Sequence, residues 1–258
     1  MPKTNILSWN VNGIRALARK GFLEWLADES PDILCLQETR AQPEQLGDEL
    51  LEPPGYLSYW NYPDRKGYSG VALFAREEPL ETGYGFPAGG LELEGRVILA
   101  RYPGFTLINA YFPNGKQGEE RLKYKMAFYE AFLTFIDSLR AEGESLIICG
   151  DFNTAHREID LARPRENSKV SGFLPVEREW LDRLVAHGYV DTFRQFNGEP
   201  GQYTWWDLKS RARERNVGWR IDYFFVSKDL LPALSAAFIM PGVTSSDHCP
   251  TGITLDTG

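Results

Sequence analysis

Leu146-Ile147-Ile148-Cys149-Gly150-Asp151-Phe152-Asn153 decides how the chain reads: four apolar residues, then a glycine, an acid and an amide. A short apolar run closed by turn-forming residues reads as a strand that ends in polar groups. The figure recurs. Ile6-Leu7-Ser8-Trp9 runs into Asn10-Val11-Asn12-Gly13, Ile33-Leu34-Cys35-Leu36 into Gln37-Glu38, and Leu107-Ile108-Asn109-Ala110 into Tyr111-Phe112-Pro113-Asn114. Nine runs read as strands, at 5–9, 33–36, 71–75, 97–102, 106–111, 146–149, 223–226, 237–240 and 252–255.

Helical patterns are fewer. Over 119–140, Leu122, Met126, Tyr129, Phe132, Leu133, Ile136 and Leu139 recur at three- and four-residue spacing, the stripe of an amphipathic helix. A second helix is expected over 176–185, with Pro175 before it and His187-Gly188 ending it. Many strands and few long helices favour two packed sheets flanked by helices. A doubly wound parallel sheet is the alternative, disfavoured because no G-x-G-x-x-G or P-loop pattern is present. No linker, repeat or low-complexity stretch divides the chain, so one domain over 1–258 is expected.

The 258 residues carry a net charge of −8, which speaks against a histone-like basic binder. Cys35, Cys149 and Cys249 are odd in number, far apart and without metal-ligand spacing; they read as core thiols of a reducing compartment. The first nine residues lack the segments of a signal peptide, and no apolar run approaches a membrane span. A soluble, cytoplasmic protein without membrane contact is the expectation.

If the strand ends meet at one edge, their Asn, Glu, Tyr, Asp and His side chains share a cleft. Asp222 lies among apolar residues in Arg220-Ile221-Asp222-Tyr223-Phe224, and a buried carboxylate needs a partner. Of three histidines, His248 in Ser246-Asp247-His248-Cys249-Pro250 suits that role, whereas His156 and His187 look like loop or helix-end residues. Glu38 among amides offers hard oxygen ligands suited to Mg2+. Asp151 as water-positioning base, Asn153 as its orienting amide and a His-Asp pair facing phosphoryl oxygens complete a set for phosphate-ester hydrolysis. No G-x-S-x-G elbow supports a serine nucleophile.

These motifs, with Asn216-Val217-Gly218-Trp219-Arg220-Ile221-Asp222-Tyr223 and Gly150-Asp151-Phe152-Asn153-Thr154-Ala155-His156, resemble those of the exonuclease III family of apurinic/apyrimidinic endonucleases over essentially the whole chain. The resemblance implies a four-layered α/β sandwich of the deoxyribonuclease I kind. It also implies a Mg2+-dependent phosphodiesterase, Mn2+ being an alternative, that cuts duplex DNA 5′ to an abasic site and leaves a 3′-hydroxyl. A 3′-5′ exonuclease and 3′-end cleaning would accompany that cut. By the same likeness Glu38 binds the metal with Asn12 and Asp247 close by. Asp151 activates water held by Asn153, while His248, paired with Asp222, meets the phosphate supported by Tyr111, and Asn10 ties the network together. Asn12 stands where some relatives have Asp, which implies a single metal.

The resemblance places Trp205, Trp219 and Ile221 in the wall of a pocket for a flipped-out sugar. Downstream of Asn167, where abasic-site specialists carry a second Asn, this chain has Val170 and then Ser171; the Ser171 hydroxyl, helped by Lys125, is expected to admit a nucleotide that keeps its base, such as deoxyuridine. Asn114, Lys116, Arg121, Lys209 and Asn216 are expected to contact DNA. Between Trp205 and Arg220, five basic residues face two acids, a local net charge of +3. Further basic clusters lie at 116–125 and 157–169, so the overall charge hides a basic track. A monomer is expected. The rival on the same fold is a phosphatase of inositol phosphates or lipids.

Overall fold

The apolar runs are uninterrupted because their strands are covered on both faces, and successive residues of a strand point in opposite directions. A computed structural model describes residues 3–256, so Met1 and Pro2 of the N-terminal reading lie outside it. Its strands are β1 (Lys3–Asn10), β2 (Ile33–Gln37), β3 (Leu57–Asn61), β4 (Val71–Ala75), β5 (Glu81–Tyr84), β6 (Val97–Tyr102) and β7 (Phe105–Tyr111). They continue with β8 (Leu146–Asp151), β9 (Tyr189–Asp191), β10 (Trp205–Trp206), β11 (Gly218–Trp219), β12 (Asp222–Ser227), β13 (Leu234–Ile239) and β14 (Thr251–Asp256). One six-stranded sheet has the order β13-β14-β1-β2-β4-β3, a second β5-β6-β7-β8-β12-β9, and β10 and β11 form a separate hairpin.

Alternation along the strands builds four layers. Ile6, Cys35 and Leu73 of the first sheet meet Leu107, Ile147 and Phe224 of the second in the central core. Their neighbours Leu7, Leu34 and Phe74 face outward against Ile14, Phe22 and Leu26. On the far side Ile108, Ile148 and Phe225 pack under Phe128, Phe132 and Ile136 of the helix Glu119–Ala141 and under Trp180 and Leu184 of the helix Pro175–Ala186. The result is the expected α/β sandwich, not a doubly wound sheet. Gln37 and Asn109 cross the central core: Gln37 donates to Asn109 Oδ1 at 2.8 Å, and Asn109 donates to the Leu36 and Ala72 carbonyls at 3.1 and 2.9 Å.

The topology brings the polar ends together. β1 and β2 are parallel with Asn10 opposite Gln37, and β7 and β8 are parallel with Tyr111 opposite Asp151. A parallel pair ends at one edge. β12 runs antiparallel to β8 and begins there, Asp222 opposite Asp151. Gly150 makes this possible: its φ is +135°, and a Cβ would stand 1.9 Å from the Ala110 carbonyl oxygen.

Both long helices lie where the periodicity predicts them, the first opening on Glu119 and Glu120, which suit a helix N-terminus. The strands not read from sequence, β3, β5, β9, β10 and β11, lie at sheet edges or in the hairpin, where a part-exposed strand need not be apolar. The helices Ile14–Ala18 and Phe22–Glu29 are too short to show a clear period.

Candidate active site

Asn10, fully buried at the end of β1, bridges two acids: its Nδ2 donates to Glu38 Oε2 at 3.0 Å and to Asp151 Oδ2 at 2.9 Å. Its Oδ1 accepts the Asn12 backbone N–H at 3.0 Å, which bends the chain after β1. Asn153 donates its backbone N–H to Asp151 Oδ1 at 2.8 Å and its Nδ2 to Asp151 Oδ2 at 3.2 Å and to the Phe112 carbonyl at 2.9 Å. Asn114 donates to Asn153 Oδ1 at 3.1 Å. Asn12, Glu38 and Asn153 all have left-handed backbones, φ +46°, +56° and +52°. Such conformations persist where surrounding contacts over-determine them, and here they turn each side chain back toward the cleft.

His248 Nδ1 lies 2.8 Å from Asp222 Oδ2, and its Nε2 lies 4.0 Å from Asp151 Oδ2. Burial works to lower the imidazole, yet the carboxylates of Asp222, Asp151 and Asp247 outweigh it and push it up to about 10. Asp151 moves the other way. Burial and the charge of Asp222 raise it to about 7, against the opposing pull of His248, the Asn153 N–H and Asn10. Burial and the charge of Glu38 keep the Tyr111 phenol well above its ordinary value, so it remains an O–H donor; the Arg96 guanidinium lies 4.7 Å from its ring centre.

A cavity of about 210 Å³ opens at this edge. Asn12, Glu38, Tyr111, Asn114, Lys116, Asp151, Asn153, Trp205, Trp219, Ile221, Asp247 and His248 line it, while Asn10 and Asp222 stand behind. The Trp205 and Trp219 rings meet edge to face at 6.4 Å, and the Lys116 ammonium lies 4.9 and 5.6 Å from their centres. Gly172 completes the wall, where a Cβ would come within 3.1 Å of Trp219.

Glu38, Asn12 and Asp247 offer oxygen donors only, and that donor set fits one hard divalent cation. Arg40 already pairs with Glu38 Oε1, a positive group on the carboxylate. The Asp247 oxygens are oriented by Asn12 at 2.8 Å and by the Trp205 indole at 3.1 Å. Among the described residues the tightest acid and imidazole grouping is instead Asp151, Asp222 and His248. Of these, His248 Nδ1 is already taken by Asp222 at 2.8 Å, and Nε2, 4.0 Å from Asp151, is the ring nitrogen left facing the cavity.

Six expected contacts do not reach the cavity. Lys125 is fully buried, and its ammonium donates to Glu177 at 2.7 Å, to the Asn153 carbonyl at 2.8 Å and to Thr154 Oγ1 at 2.8 Å. Ser171 likewise donates to Glu177, at 2.8 Å. A carboxylate at zero exposure needs donors, so the Lys125 ammonium is held in the core and the Ser171 O–H is already spent on Glu177. Arg121 is paired with Glu94 and Tyr68. Asn167 donates to the Arg163 carbonyl, closing its own turn. Asn216 fixes the Trp206 indole and the Gly201 carbonyl, which braces the hairpin. Lys209 is exposed on the turn after β10.

The basic run beside the tryptophans thins in the same way. Arg220 is buried against Asp160 and Asp191, and Arg213 donates to the carbonyls of Pro241, Val243 and Ser246. His156 lies in a loop, as expected, but is buried there and bonded to Asp182 at 2.8 Å. Sequence reading missed Arg40, signalled only by its place two residues after Glu38, and the adjoining basic hollow of Arg15, Arg19 and Arg40.

The pattern of the Endonuclease/Exonuclease/phosphatase family matches residues 7–248. An exodeoxyribonuclease of Bacillus subtilis (strain 168) is 44% identical over 253 residues, 97% of this chain and 99% of that one. The DNA repair nuclease APEX1 of Danio rerio is 43% identical over 253 residues, 97% of this chain and 81% of its own. Among solved structures, a 3′ phosphatase from Neisseria bound to a product DNA hairpin matches with a TM-score of 0.91 at 30% identity, over 98% of this chain and 100% of that one. The likeness takes in every strand end gathered at the cavity, and the chain belongs to the endonuclease/exonuclease/phosphatase family.

Proposed function

We propose that this chain is a metal-dependent DNA-repair phosphodiesterase that hydrolyses duplex DNA on the 5′ side of an abasic nucleotide and leaves a 3′-hydroxyl. The observation that carries the reading is the linked set Glu38–Asn10–Asp151 beside His248–Asp222, at the mouth of a cavity walled by two tryptophans. Such a cavity suits a sugar without its base, because apolar walls replace the stacking lost on extrusion.

Asp151 accepts a proton from water as the water oxygen bonds to phosphorus and the P–O3′ bond breaks; the departing O3′ takes a proton from solvent water and ends as the 3′-hydroxyl. Asn153 orients both carboxylate and water. The His248 imidazolium, steadied by Asp222, donates to a phosphoryl oxygen, and the Tyr111 phenol donates to another. Glu38, with Asn12 and Asp247 beside it, would hold one Mg2+, for which Mn2+ can substitute. Bound there, it supplies positive charge to the phosphate. The same groups serve a nucleotide or phosphate at a 3′ end, so exonuclease and end-cleaning activities accompany incision. We read the enzyme as an intracellular monomer whose catalytic domain spans the chain; no described helix is long and apolar enough to cross a membrane.

A labelled duplex with a central abasic analogue, incubated with Mg2+ or with EDTA, tests this. One cut immediately 5′ of the lesion, a 3′-hydroxyl product and no cutting in EDTA are expected. Phosphate release from inositol phosphates without incision would replace the reading with the phosphatase rival.

A further inference from the structure

We propose that Thr204 is a positioning residue that holds Asp222 and His248 in register, an inference that rests on the roles just given to that pair. Thr204 is fully buried immediately before Trp205. Its Oγ1 donates to Asp222 Oδ2 at 2.5 Å and accepts the backbone N–H groups of Ile221 and Asp222 at 3.1 and 3.2 Å. Its backbone N–H donates to the Trp219 carbonyl at 2.9 Å, and its own carbonyl accepts the Cys249 N–H at 2.8 Å. One residue thus grips the start of β12 through its side chain and the residue after His248 through its main chain.

The geometry gives this a chemical consequence. Asp222 Oδ2 receives both the Thr204 hydroxyl and, at 2.8 Å, the imidazole Nδ1 of His248. The hydroxyl therefore fixes the rotation of the carboxylate, and the carboxylate fixes the ring. The ring in turn directs Nε2 toward Asp151 and the cavity. Valine has the shape of threonine and neither donor nor acceptor, so Thr204→Val leaves two backbone N–H groups and one carboxylate oxygen without this partner. Thr204→Ser keeps all three bonds.

The test is single-turnover and steady-state incision of the abasic duplex by T204V, T204S and D222N. Thr106→Val serves as control, since Thr106 is buried at the opposite end of β7 and bonds Glu144 at 2.5 Å. Removing an orienting partner behind a reacting group lowers activity about 10- to 100-fold. T204V is expected to lose kcat in that range with KM within about twofold of wild type, because the substitution replaces no residue that lines the cavity. T204S is expected to regain most of kcat, and T106V to lose melting temperature while keeping kcat. T204A is read by the same criteria if T204V does not fold. Wild-type kcat in T204V, no recovery in T204S, or an equal kcat loss in T106V overturns the proposal. If D222N also keeps wild-type kcat, the role of Asp222 fails; if D222N collapses while T204V does not, only Thr204 fails.

Discussion

At the residue scale, environment assigns opposite tasks to two neighbouring groups. Burial and Asp222 raise Asp151 to about 7, while the surrounding carboxylates raise His248 to about 10; in the proposed reaction the first takes a proton from water and the second donates to the phosphate. Asp151→Asn keeps the shape and removes the base; kcat for incision is expected to fall about 10²- to 10⁴-fold with little change in KM, measured in steady state. Glu94 is the contrasting case, a carboxylate used for structure. Burial disfavours its charge, but Arg121 and Arg96 outweigh that and hold it at about 2, below the ordinary 4.5. A depressed carboxyl stabilises the fold above the unfolded-state value and loses that contribution as pH falls through the folded-state value. The melting-temperature gap between wild type and Glu94→Gln is therefore expected to be constant from pH 7 to about 5 and to close toward pH 2.

At the element scale, one buried ion pair joins both long helices to the site. Lys125 on Glu119–Ala141 and Glu177 on Pro175–Ala186 are both fully buried. Glu177 also accepts the backbone N–H groups of Gly172 and Leu174 at 2.6 and 3.0 Å, while Lys125 holds the Asn153 carbonyl. The pair thus shapes the turn that carries Asn153 and the loop that faces Trp219. Lys125→Met strands a buried carboxylate and is expected to destabilise the fold by about 3–5 kcal/mol in urea denaturation. The double variant Lys125→Met/Glu177→Gln is expected to lose clearly less than the two single losses added together. The helices themselves were legible from periodicity and from Pro175; their ion pair was not, because its members lie 52 positions apart.

At the scale of the whole molecule, charge distribution matters more than charge. The total is −8, yet Arg15, Arg19 and Arg40 share a hollow of about 360 Å³ that meets the catalytic cavity at Arg40, and Lys116 stands on its other wall. A groove that displaces counterions from several phosphates makes kcat/KM fall by more than about tenfold between 50 and 150 mM salt. A flat response in incision assays would leave this basic track without a role. Arg15→Ala with Arg19→Ala is expected to flatten the slope while kcat at saturating DNA stays near wild type.

The apolar runs, their polar ends and the motif order were determined by the sequence alone, because strand burial and turn chemistry are local and leave a direct trace in residue type. From these follow the sandwich, the family likeness and the candidates Asn10, Glu38, Asp151, Asp222 and His248. Which polar groups remain free to act was decided only by the tertiary structure. Lys125, Ser171, Arg121, Asn216 and Arg220 have the right chemistry and neighbourhood in sequence, but each is engaged by another residue, from six positions away for Ser171 to 52 for Lys125. Thr204, unremarkable in sequence, stands between Asp222 and the loop of His248. A buried polar group must be satisfied, and its partner is set by how strands and helices far apart in the chain are packed together.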